Sequence, residues 1–339
     1  MSTQFPDSGT LWAALSLAVR APSVHNSQPW QWRVGPDSLH LWAVPDRHLP
    51  NTDPDRRDLM LSCGAALNHA VVALAALGWH ARVHRFPDPA EPNHLAALEL
   101  SHRPPAEMDV ALAAAIPRRR TDRRTYSHWP VPIGDIALMG ARAARAGVKL
   151  LRVDDTSGLR EALWRAMRSH AESDAYLHEL TTWSGRHAAM AGVPASNTPE
   201  PDPGAPLPSR WFAGTALAQP PDADPAEDNG VTLALGTRDD DDLARLRAGE
   251  ATSLVLLTAT ALGLSSCPIT EPLEIAETRA SVRSDIFEDQ EYPQMLLRVG
   301  WAPVNADPLP ATPRWPLTAV VADLEGGPLA LPDRQGAGH

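Results

Sequence analysis

The sequence contains little cysteine and almost no lysine, and each shortage excludes a class of chemistry. Cys63 and Cys267 are the only cysteines among 339 residues, too few for a disulfide framework or a thiolate metal site. Lys149 is the only lysine among 30 basic residues, so 30 − 1 = 29 are arginines. A Schiff base could therefore form only on Lys149. The abundance of arginine, proline and alanine is typical of codon bias in a GC-rich genome.

Further absences argue against nucleotide-binding motifs and membrane insertion. Neither G-x-G-x-x-G nor G-x-x-x-x-G-K occurs, so the Rossmann and P-loop motifs are missing. No apolar run approaches the roughly 18 residues that span a bilayer, and the polar start MSTQFPDSGT is unlike a signal peptide. The net charge of −11 argues against nucleic acid or an anionic membrane as a partner. We therefore expect a soluble, cytoplasmic protein.

Candidate sites for metal or hydrolytic chemistry are weak. His80 and His84 have a spacing of four residues, but they lie on a predicted strand and have no third ligand nearby in the sequence. Ser265 and Ser266 lack the G-x-S-x-G elbow of serine hydrolases. Cys63 lies in an apolar helix, where a reactive thiolate is unfavourable. We expect no metal site and no nucleophilic serine or cysteine.

Hydrophobic periodicity predicts mostly helices, in a chain long enough for about two domains. Helices are predicted over 10–20, 53–78, 134–146, 157–172 and 239–262. Strands are predicted over 80–86, 95–100 and 149–153. Residues 194–225 contain nine prolines and show no periodicity, which is typical of a long loop, a lid or a linker.

The two most apolar helices resemble each other at a constant offset of 185 residues. Segment 62–79 aligns with 247–264, and a strand is predicted after each copy. The identical pairs are Gly64/Gly249, Ala66/Ala251, Ala76/Ala261, Leu77/Leu262 and Gly78/Gly263. Alanine-rich helices often match by chance, but glycines at both ends of the match favour two related halves. Pockets tend to form at such interfaces.

Three segments, far apart in the sequence, could carry chemistry. Segment 21–30, APSVHNSQPW, combines two prolines with hydrogen-bonding side chains, which suits a planar ligand or only a capped helix end. Segment 116–125, IPRRRTDRRT, has five arginines in seven residues, which suits phosphate or only a solvated face. Segment 262–270, LGLSSCPIT, joins a buried helix to a strand. Arg314 lies between prolines in PATPRWP.

Together these segments resemble a known family. PSVHNSQPW resembles the PSxxNSQPW signature of FMN-dependent nitroreductases, RRTDRR resembles their RRSxR phosphate motif, and LGLSSCPIT resembles the turn beside the flavin. The order of the first two motifs is reversed here, and each occurs once in a longer chain. This arrangement resembles the Acg-type branch, in which one fused chain imitates the nitroreductase dimer. The resemblance extends from about residue 8 to 318.

The resemblance implies an α+β fold. Two pseudo-repeated halves would surround a central mixed or antiparallel sheet flanked by helices. The N-terminal half would cover 1–115 and the C-terminal half 116–325, with a proline-rich lid at about 194–235 and a tail at 326–339. One complete FMN site would remain in each chain, so a monomer would suffice for flavin binding, and a higher oligomer is compatible with this.

The resemblance also implies the residues of the FMN site. The phosphate would be held by Arg119, Thr121, Arg123 and Arg314. The turn beside the ring or ribityl chain would comprise Pro22, Ser23, His25, Asn26 and Gln28. The ring face would be lined by Pro268, Ile269 and Thr270. Thr270 replaces the acidic residue that nitroreductases have near flavin N5. No residue is assigned a catalytic role, since the flavin would carry the chemistry.

Two functions follow from the resemblance, and a third follows from the arginines alone. The first is an oxidoreductase that transfers hydride through flavin N5 to a nitroaromatic, a quinone or another small molecule, with NAD(P)H as electron donor. The second is an FMN-sequestering or storage protein whose lid covers the flavin and leaves little turnover. The third is an α/β protein that binds another phosphate ligand.

Overall fold

The computed structural model describes residues 5–185, 189–202, 204–220 and 223–329, and eight helices and nine strands lie within them. The helices are α1 (Ser8–Ala18), α2 (Arg57–Ala76), α3 (Glu107–Ala115), α4 (Ile133–Arg145), α5 (Ser157–Ala171), α6 (Asp174–Trp183), α7 (Asp242–Ala261) and α8 (Ala276–Phe287). The strands are β1 (Trp30–Val34), β2 (Ser38–Ala43), β3 (Trp79–Arg85), β4 (His94–His102), β5 (Lys149–Val153), β6 (Val231–Thr237), β7 (Ser265–Ile269), β8 (Tyr292–Gly300) and β9 (Val321–Asp323). The predicted α+β class is confirmed.

The strands form two sheets with the same internal order. One sheet runs β3-β4-β2-β1-β9 and the other β5-β6-β8-β7. Starting from the strand after each long helix, both halves have equivalent antiparallel neighbours, β3-β4-β2-β1 and β7-β8-β6-β5. One central sheet is expected from the sequence, and this detail needs correction. Each sheet packs on its own long helix, and α2 and α7 pack against each other, which separates the sheets.

Glycines make the close crossing of α2 and α7. A Cβ at Gly64 would lie 2.1 Å from the carbonyl oxygen of Leu246, and a Cβ at Gly249 would lie 2.1 Å from that of Leu61. Leu61 and Leu246 are themselves 185 residues apart, so the two contacts are reciprocal. Only glycine allows the two backbones to approach this closely. The matched glycines of the sequence repeat therefore have a packing role.

A hydrogen bond at the same crossing follows the same offset. Ser253 Oγ on α7 donates to Asn68 Oδ1 on α2 over 2.8 Å, and these residues are also 185 apart. The C-terminal part of the chain also adds a strand to the N-terminal sheet, since β9 pairs in parallel with Trp32–Val34. The boundaries predicted at 115 and 325 remain predictions, and part of the predicted tail lies outside the described residues.

The N-terminal sheet shows why its residues form strands. Trp30 and Trp32 of β1 and Leu39 and Leu41 of β2 are fully buried, and their neighbours in sequence are partly exposed. This alternation turns one face of the sheet toward α2 and the other toward solvent. Helix α1 and the turn after it pack directly on α2, where Ser62 Oγ accepts from the backbone N–H of Val24.

Helix α2 starts later than its sequence predicts. The predicted start at 53–54 is wrong, because Arg56 adopts a left-handed backbone conformation with φ of 60° and the helix begins at Arg57. Asp53 nevertheless caps the helix from outside, since its carboxylate accepts from the backbone N–H groups of Asp58 and Leu59 over 2.8 Å. The chain thus loops once before the helix begins.

Helix α2 is also long and apolar enough to cross a membrane, contrary to the expectation that no such segment exists. Of its most apolar 18-residue window, 83% is buried inside the protein. Such burial is typical of the central helix of a folded core, which passes the same test of length and composition. A cytoplasmic location remains a prediction.

Candidate functional site

A cavity lies where the two halves meet. It contains about 1180 Å³ of empty space, including the part that opens to solvent. Its walls come from the turn after α1, the first turns of α2, the arginine segment 116–125, strand β7 and residues 207–212 of the proline-rich stretch. Of the twelve predicted site residues, those in the wall are Pro22, Ser23, His25, Thr121, Arg123, Pro268, Ile269 and Thr270.

The turn after α1 has an unusual backbone. His25, Asn26 and Gln28 have φ values of 44°, 54° and 52°, in the left-handed region that residues other than glycine seldom adopt. Ser23 Oγ accepts from the backbone N–H of Gln28 over 3.0 Å, and Ser62 Oγ on α2 accepts from that of Val24 over 3.1 Å. Strained backbone of this kind is common at functional sites.

Asn26 and Gln28 lie behind this turn and are absent from the cavity wall. The Asn26 Nδ2 group donates to the Gly192 carbonyl over 3.1 Å. Gln28 Nε2 donates to the Met190 carbonyl over 2.9 Å, and Gln28 Oε1 accepts from the backbone N–H of Trp315 over 2.9 Å. Both side chains therefore brace the turn against distant parts of the chain, and their predicted contacts with a cofactor remain predictions.

The arginine segment divides between the cavity and the interior. Thr121 and Arg123 line the cavity, and the Arg123 guanidinium lies 4.9 Å above the Phe212 ring. Arg124 instead forms a buried ion pair with Asp122 at 2.9 Å. A run of arginines in sequence is thus not one surface, because adjacent side chains point to different environments.

Arg119 lies in a group of arginines that we call the arginine cluster, made of Arg20, Arg119, Arg120 and Arg314. Arg119 is only 6% exposed, and its Nε and Nη1 atoms have no hydrogen-bond partner in the described part of the chain. Burial and the neighbouring arginines lower the pKa of Arg119 to about 10 and that of Arg314 to about 9. A buried, unpaired cation is unfavourable, so the cluster is suited to an anion.

Arg314 belongs to the cluster by charge, but its N–H groups are used within the chain. They donate to the carbonyls of Val19, Arg20 and Ala21 at the end of α1, over 3.1–3.2 Å, and to Asn26 Oδ1 over 2.8 Å. A guanidinium at a helix C-terminus is favoured by the helix dipole. Arg314 therefore fixes the turn that carries Asn26, and its predicted phosphate contact remains a prediction.

The opposite side of the cavity carries paired charges, centred on Arg210. Its Nη1 lies 2.7 Å from His25 Nε2 and 3.2 Å from the Tyr176 hydroxyl. Its Nη2 donates to Thr270 Oγ1 over 3.2 Å and pairs with the Glu274 carboxylate. Arg210 comes from the non-periodic, proline-rich stretch, and no sequence signal singles it out.

Two titratable groups of the wall are shifted toward their neutral forms. Burial, with the positive charges of Arg210 and Arg123, lowers the pKa of His25 well below its usual value. Burial raises the pKa of Asp58 to about 8, although its carboxylate lies 2.6 Å from the Arg57 guanidinium. Asp58 was not predicted, since an acid near a helix start also has the simpler role of favouring the dipole.

Strand β7 supplies the remaining wall. Pro268 and Ile269 of β7 line the cavity together with Cys267 and with Thr270, which follows the strand. Thr270 Oγ1 donates to Glu274 Oε1 over 2.7 Å. Burial raises the pKa of the Cys267 thiol, so a thiolate is disfavoured there. The wall thus combines apolar side chains with polar and charged ones, which suits an organic ligand that carries polar groups.

Within the described ranges, no group of three or more histidine, cysteine, aspartate or glutamate side chains has the arrangement of a metal site. Cys63 is fully buried in α2, and burial raises the pKa of its thiol. His80 and His84 lie on β3, as predicted.

Comparison with known proteins identifies the family, although no family model matches the chain. A protein of Mycobacterium tuberculosis strain H37Rv named "Putative NAD(P)H nitroreductase Rv3131" is 61% identical over 321 residues, covering 95% of this chain and 93% of that protein. The "Putative NAD(P)H nitroreductase acg" of the same strain is 35% identical over 320 residues, covering 91% of this chain and 94% of that protein.

Solved structures include more distant similarities. The FMN-dependent nitroreductase NfnB of Mycobacterium smegmatis, solved with NADPH, is 15% identical with a TM-score of 0.38, covering 63% of this chain and 97% of that one. A likeness of this size carries no argument about the site. The sequence relatives suffice, because they are aligned over almost their whole length. The chain belongs to the nitroreductase family, in its Acg-type branch.

Proposed function

We propose that the cavity binds FMN and that the protein is an FMN-dependent oxidoreductase. The observation that carries the proposal is Arg119, a buried guanidinium for which the described residues supply neither a partner to its Nε and Nη1 atoms nor an acid that acts on its charge. A phosphate dianion is the ligand group that best completes such a site, because its oxygens accept several charge-assisted hydrogen bonds. The flanking cavity is large enough and apolar enough for a flavin ring.

The residues present divide in a way that fits FMN. The arginine cluster would hold the phosphate, and Thr121 would add a hydroxyl contact. The strained turn with His25 and strand β7 with Ile269 both line the cavity, and they would contact the flavin ring. When bound, the flavin supplies hydride transfer, whereas the protein orients it and controls access.

We propose NAD(P)H as electron donor and a nitroaromatic, a quinone or another small molecule as acceptor. Support comes from the names of the two Mycobacterium tuberculosis relatives, both NAD(P)H nitroreductases by name. Thr270 stands where the family has an acid near flavin N5. Its hydroxyl donates to Glu274, whose carboxylate pairs with Arg210.

A second candidate function is FMN sequestration with little turnover. The observation that favours it is the position of residues 207–212, which contribute to the cavity wall. Phe212 is buried there, and Arg210 forms hydrogen bonds to His25 and to Thr270. In this proposal the proline-rich stretch acts as a lid over the flavin. Such a lid would hold FMN firmly and restrict the approach of a dinucleotide.

An anaerobic visible spectrum of the purified protein, recorded before and after addition of NADPH, tests both candidates. A flavin band that bleaches supports the oxidoreductase, and a band that persists supports sequestration. If deletion of the lid residues does not restore reduction, the lid is not what blocks electron transfer. A protein that neither retains nor binds FMN would contradict both proposals and leave another phosphate ligand for the arginines.

The stoichiometry tests the arrangement of the halves. We propose that the fused chain acts as a pseudo-dimer with a single FMN site, because each motif occurs once. Flavin absorbance combined with the solution mass should then give one FMN per monomeric chain. Two FMN per chain, or binding only in a dimer, would contradict this arrangement. A nucleic-acid or membrane partner is not expected.

A further inference from the structure

The contact between Arg210 and His25 determines which nitrogen of His25 carries its proton. A guanidinium has only donor groups, so Arg210 Nη1 must donate across the 2.7 Å contact and His25 Nε2 must accept. His25 Nε2 is therefore unprotonated. A neutral imidazole has one N–H group, which in His25 must then be at Nδ1.

Among the described residues, that N–H group has no partner. His25 is 7% exposed and lines the cavity, and its Nδ1 is buried without a hydrogen-bond partner among the described residues. A buried donor left unpaired costs free energy, and such groups in native structures usually indicate a ligand or a bound water. A molecule in the cavity that His25 lines can supply the missing acceptor.

Arg210 is itself held from several directions. Glu274 pairs with it, the Glu271 carboxylate lies 3.8 Å from its Nε, and the Tyr176 hydroxyl and Thr270 Oγ1 accept from it. The backbone just beyond is anchored as well, since the N–H of Ala213 donates to Ser184 Oγ over 3.0 Å. The guanidinium thus has one defined orientation, with one N–H group directed at His25.

We propose that Arg210 is a positioning residue that keeps His25 in the Nδ1–H tautomer, so that His25 donates a hydrogen bond to an acceptor atom of the ring bound in the cavity. The identity of that ring as flavin rests on the proposed function. The tautomer itself does not, because the contacts that determine it lie within the chain. The hydrogen bond from His25 would depend on the proline-rich stretch, from which Arg210 comes.

The charges around His25 are compatible with this role. Arg210 and Arg123 are the cations that act on the ring, and His170 faces it as a third titratable group. Burial and these groups lower the pKa of His25 well below its usual value, so the ring stays neutral near pH 7. A neutral ring has one N–H group, so Nε2 stays able to accept from Arg210 while Nδ1 carries the proton.

Nitrogen NMR on the ligand-free protein tests the tautomer directly. Long-range ¹H–¹⁵N spectra distinguish protonated from unprotonated ring nitrogens, and His25→Gln identifies the signals of His25 among the 13 histidines. We expect Nδ1 protonated and Nε2 unprotonated in the native protein. In Arg210→Met the second tautomer should become populated. Arg160→Met, which removes an exposed arginine on α5, should leave the signals unchanged.

A charge-balanced variant controls for the possibility that Arg210→Met unfolds the protein. Arg210→Met leaves Glu274 without its cation, so Arg210→Met/Glu274→Gln removes one charge of each sign. The same change of tautomer is expected in this double variant. A protonated Nε2 in the native protein, or an unchanged Nδ1–H tautomer in both variants, would overturn the role of Arg210.

FMN affinity tests whether His25 passes the effect to the ligand. Loss of one hydrogen bond should weaken FMN binding about three- to tenfold in His25→Gln and in Arg210→Met. If Arg210 acts through His25, His25→Gln/Arg210→Met should bind FMN no more weakly than the weaker of the two single variants. Multiplied losses would show that Arg210 acts independently and would overturn the proposal. Failure of the native protein to bind FMN would refute the proposed function, whereas the NMR result on the ligand-free protein would stand.

Discussion

Two buried arginines, Arg119 and Arg210, have opposite electrostatic surroundings, and of the two Arg210 lines the cavity. Arg119 has no acid among the groups that act on it, and burial with the neighbouring arginines lowers its pKa to about 10. Burial also disfavours the charge of Arg210, but Glu274 and Glu271 outweigh burial and raise the pKa of Arg210. The chain therefore neutralises the charge of Arg210 and leaves that of Arg119 unbalanced.

This difference separates a structural arginine from a binding one. A paired buried arginine stabilises the closed arrangement of segments around it, and removing one partner exposes the other to an apolar surrounding. An unpaired buried arginine lowers the stability of the ligand-free protein and gains its partner only when an anion binds. The same residue type thus predicts two different responses to substitution.

The largest expected effect is the loss of stability when Arg210, the paired arginine, is replaced. Arg210→Met should lower the free energy of unfolding of the ligand-free protein by about 3–5 kcal/mol, because it leaves the Glu274 carboxylate buried without its cation. Arg119→Met should not lower it, because no ion pair is broken. Urea denaturation at pH 7 measures both. Equal losses in the two variants would remove the distinction between the arginines, whereas recovery in Arg210→Met/Glu274→Gln would sharpen it.

The next largest effect is the loss of FMN affinity when arginines of segment 116–125 are replaced. Arg119→Ala or Arg123→Ala should weaken FMN binding by about 1.5–3 kcal/mol, the range for hydrogen bonds to charged groups. Titration of the ligand-free protein with FMN, followed by flavin fluorescence, measures the affinity. Arg118→Ala is the matched control, since Arg118 belongs to the same segment but its side chain is exposed. Unchanged affinity in both test variants would remove the arginine segment from the binding site.

The smallest of these effects concerns Asp58, an acid in the cavity wall. Its pKa is raised to about 8 by burial, so the folded state keeps a proton that the unfolded state loses near pH 4. Stability from this group is present at low pH and is lost as the pH rises toward 8. Between pH 6 and 8 the free energy of unfolding should fall by about 2 kcal/mol.

Asp58→Asn should make that part of the pH profile nearly flat, because the amide does not titrate. Denaturation midpoints at pH 6, 7 and 8 provide the comparison with the native protein. A fall of the same size in the variant would assign the pH dependence to another group. No fall in either protein would mean that the Arg57 guanidinium keeps Asp58 ionised, as an ordinary buried ion pair.

The sequence predicts the long helices and the repeat well because both are local or periodic signals. Apolar residues at helical spacing mark α2 and α7, and the matched glycines mark their crossing. The sequence pattern does not predict β1, β2, β6, β8 and β9, since short apolar or alternating runs are ambiguous without their partners. Helices α3, α6 and α8 also escape prediction, because they are short, with 9, 10 and 12 residues.

In the candidate site, too, some residues are predicted from the sequence and others are not. Motif resemblance indicates Ser23, His25, Thr121, Arg123 and the β7 residues, which the structure brings to one cavity. Asn26 and Gln28 belong to the same motif, yet their side chains brace the turn from behind. Arg210 and Asp58 could not be predicted, because a lone arginine among prolines and an acid near a helix start are common in sequences.

The sequence by itself determined the periodic helices, the family resemblance and the motif segments, since those depend on residue types at fixed spacing. Tertiary structure alone decided the environment of each charge. Arg119 and Arg210 are the same type of residue, Arg119 in a local sequence rich in arginine and Arg210 in one rich in proline. Packing alone brings Glu274 to Arg210, and it places no acid of the described residues beside Arg119. Electrostatic partners are set by proximity in space and by burial, and spacing along the chain specifies neither.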